Sequence, residues 1–245
     1  MDFVWNYIYA PSFFRKGGIF NELDFSIRSV RKNYPNARCI VVGDDPKLDV
    51  IHIECPYLDT TRPNFRELDL INKFRTVAAS DEIGEEFVLM CDDMFILQPV
   101  DDDELRKSYG REEITNVLEY ARKRRGSMDY KRVWKSTYEF NIMLRYGKGL
   151  KTYDWECHLP RHVIKSRLKY IMKNFDLDNN IMLVLGLHDG HEVKDSELVY
   201  PGLQADLWTH RPGMDFDVEL SKKYMNLYDD AIIPELIEKM ETMFP

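Results

Sequence analysis

The first hundred residues alternate between short apolar segments and segments with helical periodicity, and this alternation is the strongest constraint on the fold. Apolar residues recur every three or four positions from Phe20 to Tyr34 and from Leu68 to Ala78, which predicts two amphipathic helices. Strands are predicted at Phe3–Tyr9, Cys39–Val42, Val50–Ile53 and Phe87–Met90. Strands that alternate with helices form parallel sheets with both faces covered. The predicted fold class is therefore α/β, a mixed and mostly parallel sheet flanked by helices.

The sequence after about residue 100 has a more helical character. Helices are predicted in the charged segment Glu112–Arg125, the segment His162–Phe175 and the terminal segment Ile233–Met240, and the segment Tyr130–Tyr146 is rich in aromatic residues. The stripe Tyr130, Trp134 and Tyr138 is typical of a buried helix face. No linker separates the two halves, so we expect one domain over residues 1–245, with a soft boundary near residue 100.

Composition excludes several classes of protein. The 245 residues are 44% apolar and 31% charged, as in ordinary globular chains, and the net charge of -8 opposes general binding to nucleic acid. Cys39, Cys55, Cys91 and Cys157 form no CxxC pattern, which argues against a zinc site and a disulfide framework. The sequence starts without a basic leader and its longest apolar run is Ile181–Leu187. We expect a cytoplasmic protein without a membrane span.

The clearest chemical feature is the segment VLMCDDMFIL, residues 88–97, in which an apolar strand runs into two adjacent acids. Open α/β sheets bind their ligands at the carboxyl ends of strands. Asp92 and Asp93 are placed there to hold a hard divalent cation, which in turn neutralises a diphosphate. The alternative interpretation is an acidic turn between two strands.

Four segments of the chain carry a distinctive set of residues. They are Asn21-Glu22-Leu23 with Arg28-Ser29 and Val42-Gly43-Asp44, then Asn72-Lys73 with Asp92-Asp93, then His158 with Pro160, and last Asp229-Asp230. In this order they resemble segments of the Stealth family of sugar-phosphate transferases, which belongs with nucleotide-sugar-dependent enzymes of glycosyltransferase-A type. The opening VWNYIYAPS departs from the family pattern, and the chain is short for that family. A compact, divergent relative is expected.

The resemblance implies a glycosyltransferase-A-like fold in which residues 1–100 bind a nucleotide-sugar and residues 101–245 face the acceptor. It implies a metal-dependent glycosyltransferase that moves a sugar from a nucleotide-sugar, with UDP-sugar favoured, to a hydroxyl of a glycan. The implied cofactor is a divalent cation, Mn²⁺ or Mg²⁺.

The resemblance also implies site residues. The metal ligands would be Asp92, Asp93 and His158, and the catalytic residues Asp93, His158 and Asp230. The donor would be bound by Arg28, Asn72, Lys73 and Asp92. Four of these residues have a structural alternative: a satisfied histidine before a Pro turn for His158, a solvated helix-face cation for Arg28 and Lys73, and a helix cap for Asn72.

Other functions remain open at this stage. An inverting reaction needs a general base, and Asp189, Asp229 and Asp230 are candidates by chemistry. The same binding of the donor diphosphate by a cation would also allow transfer of a sugar 1-phosphate, which makes a phosphodiester. The basic run Arg122–Arg125 is compatible with a viral DNA acceptor carrying hydroxylated bases, although such runs are usually solvated. A catalytically silent sugar-nucleotide-binding module is a further alternative.

Overall fold

A mixed five-stranded sheet forms the centre of the computed structural model. The structure describes residues 1–7, 21–58, 64–123, 127–155, 158–192, 198–199, 207–211, 213, 222–227 and 232–245. The central strands are β1 (Asp2–Tyr7), β2 (Arg38–Gly43), β3 (Ile51–Glu54), β4 (Glu86–Met90) and β7 (Arg161–Ile164), in the order β3-β2-β1-β4-β7. The first four are parallel and β7 is antiparallel to β4. The predicted mixed, mostly parallel sheet is confirmed.

Helices cover both faces of this sheet. One face packs against α1 (Glu22–Asn33), through residues such as Phe3, Trp5 and Ile27. The other face packs against α2 (Phe65–Ala79), α6 (Lys165–Asn174) and α7 (Val184–Glu192). Asn21 caps α1, because its side chain accepts a hydrogen bond from the backbone N–H of Asp24.

Smaller elements complete the described structure. A second sheet has the order β5-β10-β9, with β5 (Met94–Ile96), β9 (Leu207–His210) and β10 (Tyr224–Leu227), and it packs against α8 (Pro234–Met243). The helical region contains α3 (Asp102–Leu105), α4 (Val117–Lys123) and α5 (Met128–Tyr146). The short strands β6 (Ser108–Tyr109) and β8 (Leu198–Val199) pair with each other.

Two helix predictions need correction. The segment predicted as a helix from His162 begins as strand β7, and Val163 is buried opposite Phe87 of β4. The four strand residues run directly into the ten-residue helix α6, so the helical spacing of the longer element was extended over them. The charged helix begins at Val117 rather than at Glu112, because the Asn116 side chain accepts hydrogen bonds from the first turn and caps it there.

Candidate functional site

The acidic pair lies in the turn that joins the two sheets. β4 ends at Met90, Cys91 and Asp92 are exposed, Asp93 is partly buried, and β5 begins at Met94. The chain passes from β1 to β2 and β3 on one side and then returns to β4 on the other side of β1. The carboxyl ends of β1 and β4 therefore flank the point where the strand order reverses, which is where open α/β sheets bind ligands.

The buried hydroxyl groups of Ser26 and Ser29 on α1 form hydrogen bonds with strand β5, directly after the acidic turn. Ser26 Oγ accepts a hydrogen bond from Trp5 Nε1 at 2.9 Å and donates to the Met94 carbonyl at 2.6 Å. One turn along α1, Ser29 Oγ accepts from the backbone N–H of Ile96 at 3.1 Å. Sequence reasoning assigned no role to Ser26, although two serines three residues apart on the buried face of a helix are an unusual signal.

His158 and Asp93 come together although they are far apart in the chain. His158 Nδ1 lies 3.5 Å from Asp93 Oδ2, and their side chains are 61% and 23% exposed. The neighbouring Leu159 is buried in the core between the central sheet and α1, which anchors the histidine. An imidazole nitrogen and a carboxylate oxygen at this distance, both open to solvent, form one polar site. The expected proximity of these two residues is present, whereas their catalytic and metal-binding roles stay predictions.

The donor set at this site fits a divalent cation. Carboxylate oxygen and neutral imidazole nitrogen are ligands for Mn²⁺, and Mg²⁺ keeps several waters and needs few protein ligands. In the described ranges, no three His, Cys, Asp or Glu side chains lie together in a metal-binding group. Of the three predicted ligands the structure therefore brings together Asp93 and His158, and it does not bring Asp92 into one metal-binding group with them.

Strand β10 lies beside the acidic turn. Its Leu227 N–H donates to the Asp93 carbonyl at 3.1 Å, and Asn226 lies opposite Met94 in the antiparallel pair. Asn226 is 6% exposed. The adjacent predicted acids, Asp229 and Asp230, lie outside the described residues, so the predicted catalytic role of Asp230 stays untested.

Two of the predicted donor-binding residues lie on α2, beside the ends of β2 and β3. Lys73 is buried and forms an ion pair with the buried Asp69 one helical turn earlier. Its Nζ is also 6.0 Å from the centre of the Tyr57 ring. Asn72 is half-buried and donates to Cys55 Sγ at 3.4 Å. Lys73 is thus a buried cation with a carboxylate partner rather than a solvated helix-face residue, and donor contact by either residue remains a prediction.

Arg28 connects α1 to the C-terminal segment. Its guanidinium donates to the Phe244 carbonyl at 2.7 Å, lies 3.1 Å from Asp24 Oδ2 and stacks 4.0 Å from the centre of the Phe25 ring. These contacts give Arg28 a structural role, and its predicted phosphate contact stays untested.

His188 and Asp189 of α7 belong to a buried polar cluster. His188 Nδ1 lies 2.8 Å from Asp189 Oδ1, and His188 Nε2 accepts from the Ile164 N–H at 3.0 Å. Burial alone would raise the pKa of Asp189, but the Arg161 guanidinium and His188 hold that pKa below its usual range. Burial lowers the pKa of His188. Asp189 is 2% exposed. This burial argues against Asp189 as the base that meets an acceptor hydroxyl.

The aromatic stripe on α5 is a core feature, as its spacing predicts. Trp134 and Tyr138 are fully buried, their ring centroids are 4.4 Å apart, and Tyr130 packs against the same cluster. Of the basic run, Arg122 and Lys123 are exposed and Lys123 pairs with Glu119, while residues 124–125 lie outside the described ranges. Across the part of the chain that the structure describes, no helix is both long and apolar enough to cross a bilayer.

No family model matches this chain, and no curated protein matches it. Among solved structures it is similar to two crystal structures of LgtC, one an active-site mutant and the other the galactosyltransferase in complex with donor and acceptor sugar analogues. For each, the TM-score is 0.45 at 8% identity, covering 99% of this chain and 95% of the other. This likeness is too weak to assign a function.

Proposed function

We propose that this chain is a metal-dependent glycosyltransferase that moves a sugar from a nucleotide-sugar, a UDP-sugar in the first instance, to a hydroxyl group of a glycan. The observation that carries the proposal is the pairing of His158 with Asp93 where the strand order reverses. The resemblance of four ordered segments to the Stealth family supports the same chemistry. Asp92 and Asp93 with His158 are the proposed metal ligands.

The proposed reaction requires a base for the acceptor hydroxyl and contacts that hold the donor diphosphate. The bond between the sugar C1 and the diphosphate oxygen breaks, a bond forms from C1 to the acceptor oxygen, and the acceptor proton passes to a carboxylate. Asp230 is the proposed base if the reaction inverts the sugar centre. A bound divalent cation supplies charge neutralisation for the diphosphate as it leaves. Asp93 and His158 would hold that cation and orient the diphosphate. Arg28, Asn72 and Lys73 are proposed contacts for the rest of the donor.

Calorimetric titration of UDP-sugars, with and without Mn²⁺, tests this proposal. We expect one donor to bind only when Mn²⁺ is present. Asp93→Ala and Asp92→Ala should abolish this metal-dependent binding and leave the far-UV circular dichroism spectrum unchanged. Asp103→Ala is the matched control, since the Asp103 carboxylate is 96% exposed on α3.

Each outcome of that titration has a defined meaning. Unchanged donor affinity in both acid variants would remove the metal assignment. Absence of binding by every nucleotide-sugar would refute the transferase. When a donor does bind, mass analysis of the product separates sugar transfer from sugar-phosphate transfer, because the second product is heavier by one phosphate.

A further inference from the structure

Two adjoining cavities lie beside helices α5 and α6. The first has a volume of about 320 Å³ and the second a volume of about 300 Å³. Asn180 and Met182, in the segment between α6 and α7, line both cavities, so the two form one continuous groove, the α5–α6 groove. Small-molecule sites in proteins have volumes of about 300–1,000 Å³, so the groove has room for a ligand. Among the described residues that line it, none is assigned above to the donor or to the cation.

The first part of the α5–α6 groove places aromatic rings beside polar groups. Tyr170 of α6 lines it and is 48% exposed. Phe140 and Phe175 line it as well and pack edge to face, with their ring centroids 5.2 Å apart. The exposed side chains of Asn174 and Asp176 complete this part of the lining. Such a surface can contact the apolar face of a small ring and bind the polar substituents of that ring at the same time.

The second part of the groove is lined by groups that form several hydrogen bonds each. Asn179 and Asn180 are exposed there, and the Arg132 side chain is 76% exposed, with its guanidinium 3.7 Å from Asp129 Oδ1. Asn64 begins α2, yet its side chain makes no capping hydrogen bond, and its Oδ1 is buried without a partner among the described residues. Buried polar atoms almost always have a partner, so this amide oxygen calls for a ligand or a water.

This combination of groups is suited to a glycan. The C–H groups of a sugar ring face are attracted to the negative face of an aromatic ring, as Tyr170 offers. Sugar hydroxyls donate and accept hydrogen bonds, and so do Asn side chains, while the Arg132 guanidinium donates up to five. Asp176 and the net charge of -8 oppose a phosphate polymer such as nucleic acid. We infer that the α5–α6 groove binds a neutral oligosaccharide, with Tyr170 stacked on one sugar ring and Asn180 and Arg132 bonded to hydroxyls of the chain.

In the proposed reaction this oligosaccharide is the acceptor, and the groove holds sugar units of it away from the hydroxyl that reacts. That assignment rests on the proposed function, whereas binding in the groove requires neither a donor nor a cation. It agrees with the expectation that residues 101–245 face the acceptor. The substrate class that follows is a chain of several sugars rather than a single sugar.

The inference is tested by saturation-transfer NMR on the full-length protein, without Mn²⁺ and without UDP-sugar. The probes are cellotetraose, maltotetraose and chitotetraose, and we expect at least one to bind. Tyr170→Ala should weaken that binding about tenfold, since stacking on an aromatic ring contributes on that scale for nucleic acid bases. Tyr170→Phe keeps the ring and should keep the affinity, and Asn180→Ala should weaken binding by several-fold. Tyr146→Ala is the matched control, because Tyr146 is 84% exposed on α5 and does not line the described part of the groove.

The melting temperatures of the Tyr170 and Asn180 variants should equal that of the wild type, since both side chains are exposed. Absence of saturation transfer to all three probes at about 10 mM would overturn the inference. So would wild-type affinity in both Tyr170→Ala and Asn180→Ala, or an equal loss in Tyr146→Ala.

The groove and the proposed function fail in different ways. If a tetrasaccharide binds through Tyr170 but no UDP-sugar binds with Mn²⁺, the groove stands and the transferase falls. If a UDP-sugar binds only with Mn²⁺ but no tetrasaccharide binds, the groove alone falls.

Discussion

The hydroxyl of Ser26 should be important both for stability and for metal affinity. Ser26→Ala removes the acceptor of the Trp5 indole N–H and the donor to the Met94 carbonyl, and Ser26 is fully buried. A buried polar group left without its partner costs about 1–3 kcal/mol, so the unfolding free energy should fall by about 3 kcal/mol for the two groups. For a chain of this length that corresponds to a melting temperature lower by roughly 6–12 °C. Urea denaturation followed by circular dichroism measures the first quantity, and thermal scans measure the second.

The same substitution should also weaken Mn²⁺ binding by about tenfold, since partners that orient metal ligands influence affinity on that scale. Ser136→Ala is the control, because Ser136 is exposed on α5 and its loss should stay within about 0.5 kcal/mol. The reasoning is refuted if Ser26→Ala unfolds within about 0.5 kcal/mol of the wild type. Loss of stability with unchanged Mn²⁺ affinity would refute the second part alone and reduce Ser26 to a packing residue.

Three further predictions concern buried or bridging charged groups. Burial lowers the pKa of His188, so the unfolded chain binds a proton below about pH 6.5 that the folded chain excludes. The unfolding free energy should therefore fall from pH 7 to pH 5, and His188→Gln should flatten the curve by up to about 1.4 kcal/mol per pH unit in urea titrations; equal slopes would refute this. Lys73→Met strands the buried Asp69 carboxylate and should cost about 3–5 kcal/mol of unfolding free energy, and adding Asp69→Leu should recover most of it. A single variant as stable as the wild type would contradict the ion pair. Arg28→Met loses the bond to the Phe244 carbonyl and should cost about 1–2 kcal/mol; calorimetry with a UDP-sugar then shows whether donor affinity falls as well, as a phosphate contact requires.

The local periodicity of the first hundred residues predicted most of the central sheet. Strands β1, β2, β3 and β4 and helices α1 and α2 lie where apolar spacing placed them, within a few residues at their ends. Those elements each repeat their period often enough to be recognised. Strand β7 runs directly into helix α6, whose longer helical spacing dominates the local pattern, and strand β10 was not predicted. The second sheet depends on pairing between distant segments, which local spacing does not encode.

The spacing of acidic and basic residues on α1 and α2 also contained information about Arg28 and Lys73 that the sequence analysis did not use. Asp24 and Asp69 precede Arg28 and Lys73 by four residues, the spacing at which opposite charges meet on one helix face. That spacing predicts intrahelical ion pairs, and both are present. The proximity of His158 to Asp93 followed from the family resemblance alone, because no periodic pattern relates residues so far apart.

The link between the turn at Asp93 and strand β10 has a consequence for the order in which the chain folds. More than half of the chain length separates Met94 from Asn226, which lie side by side. A growing polypeptide is synthesised from its N-terminus, and contacts of such long sequence separation form late. A ribosome-bound intermediate that ends after β7 can already pair the five central strands, yet it lacks the hydrogen bond from Leu227 to the turn. We therefore expect nascent chains to acquire protease resistance in the central sheet before they acquire affinity for Mn²⁺.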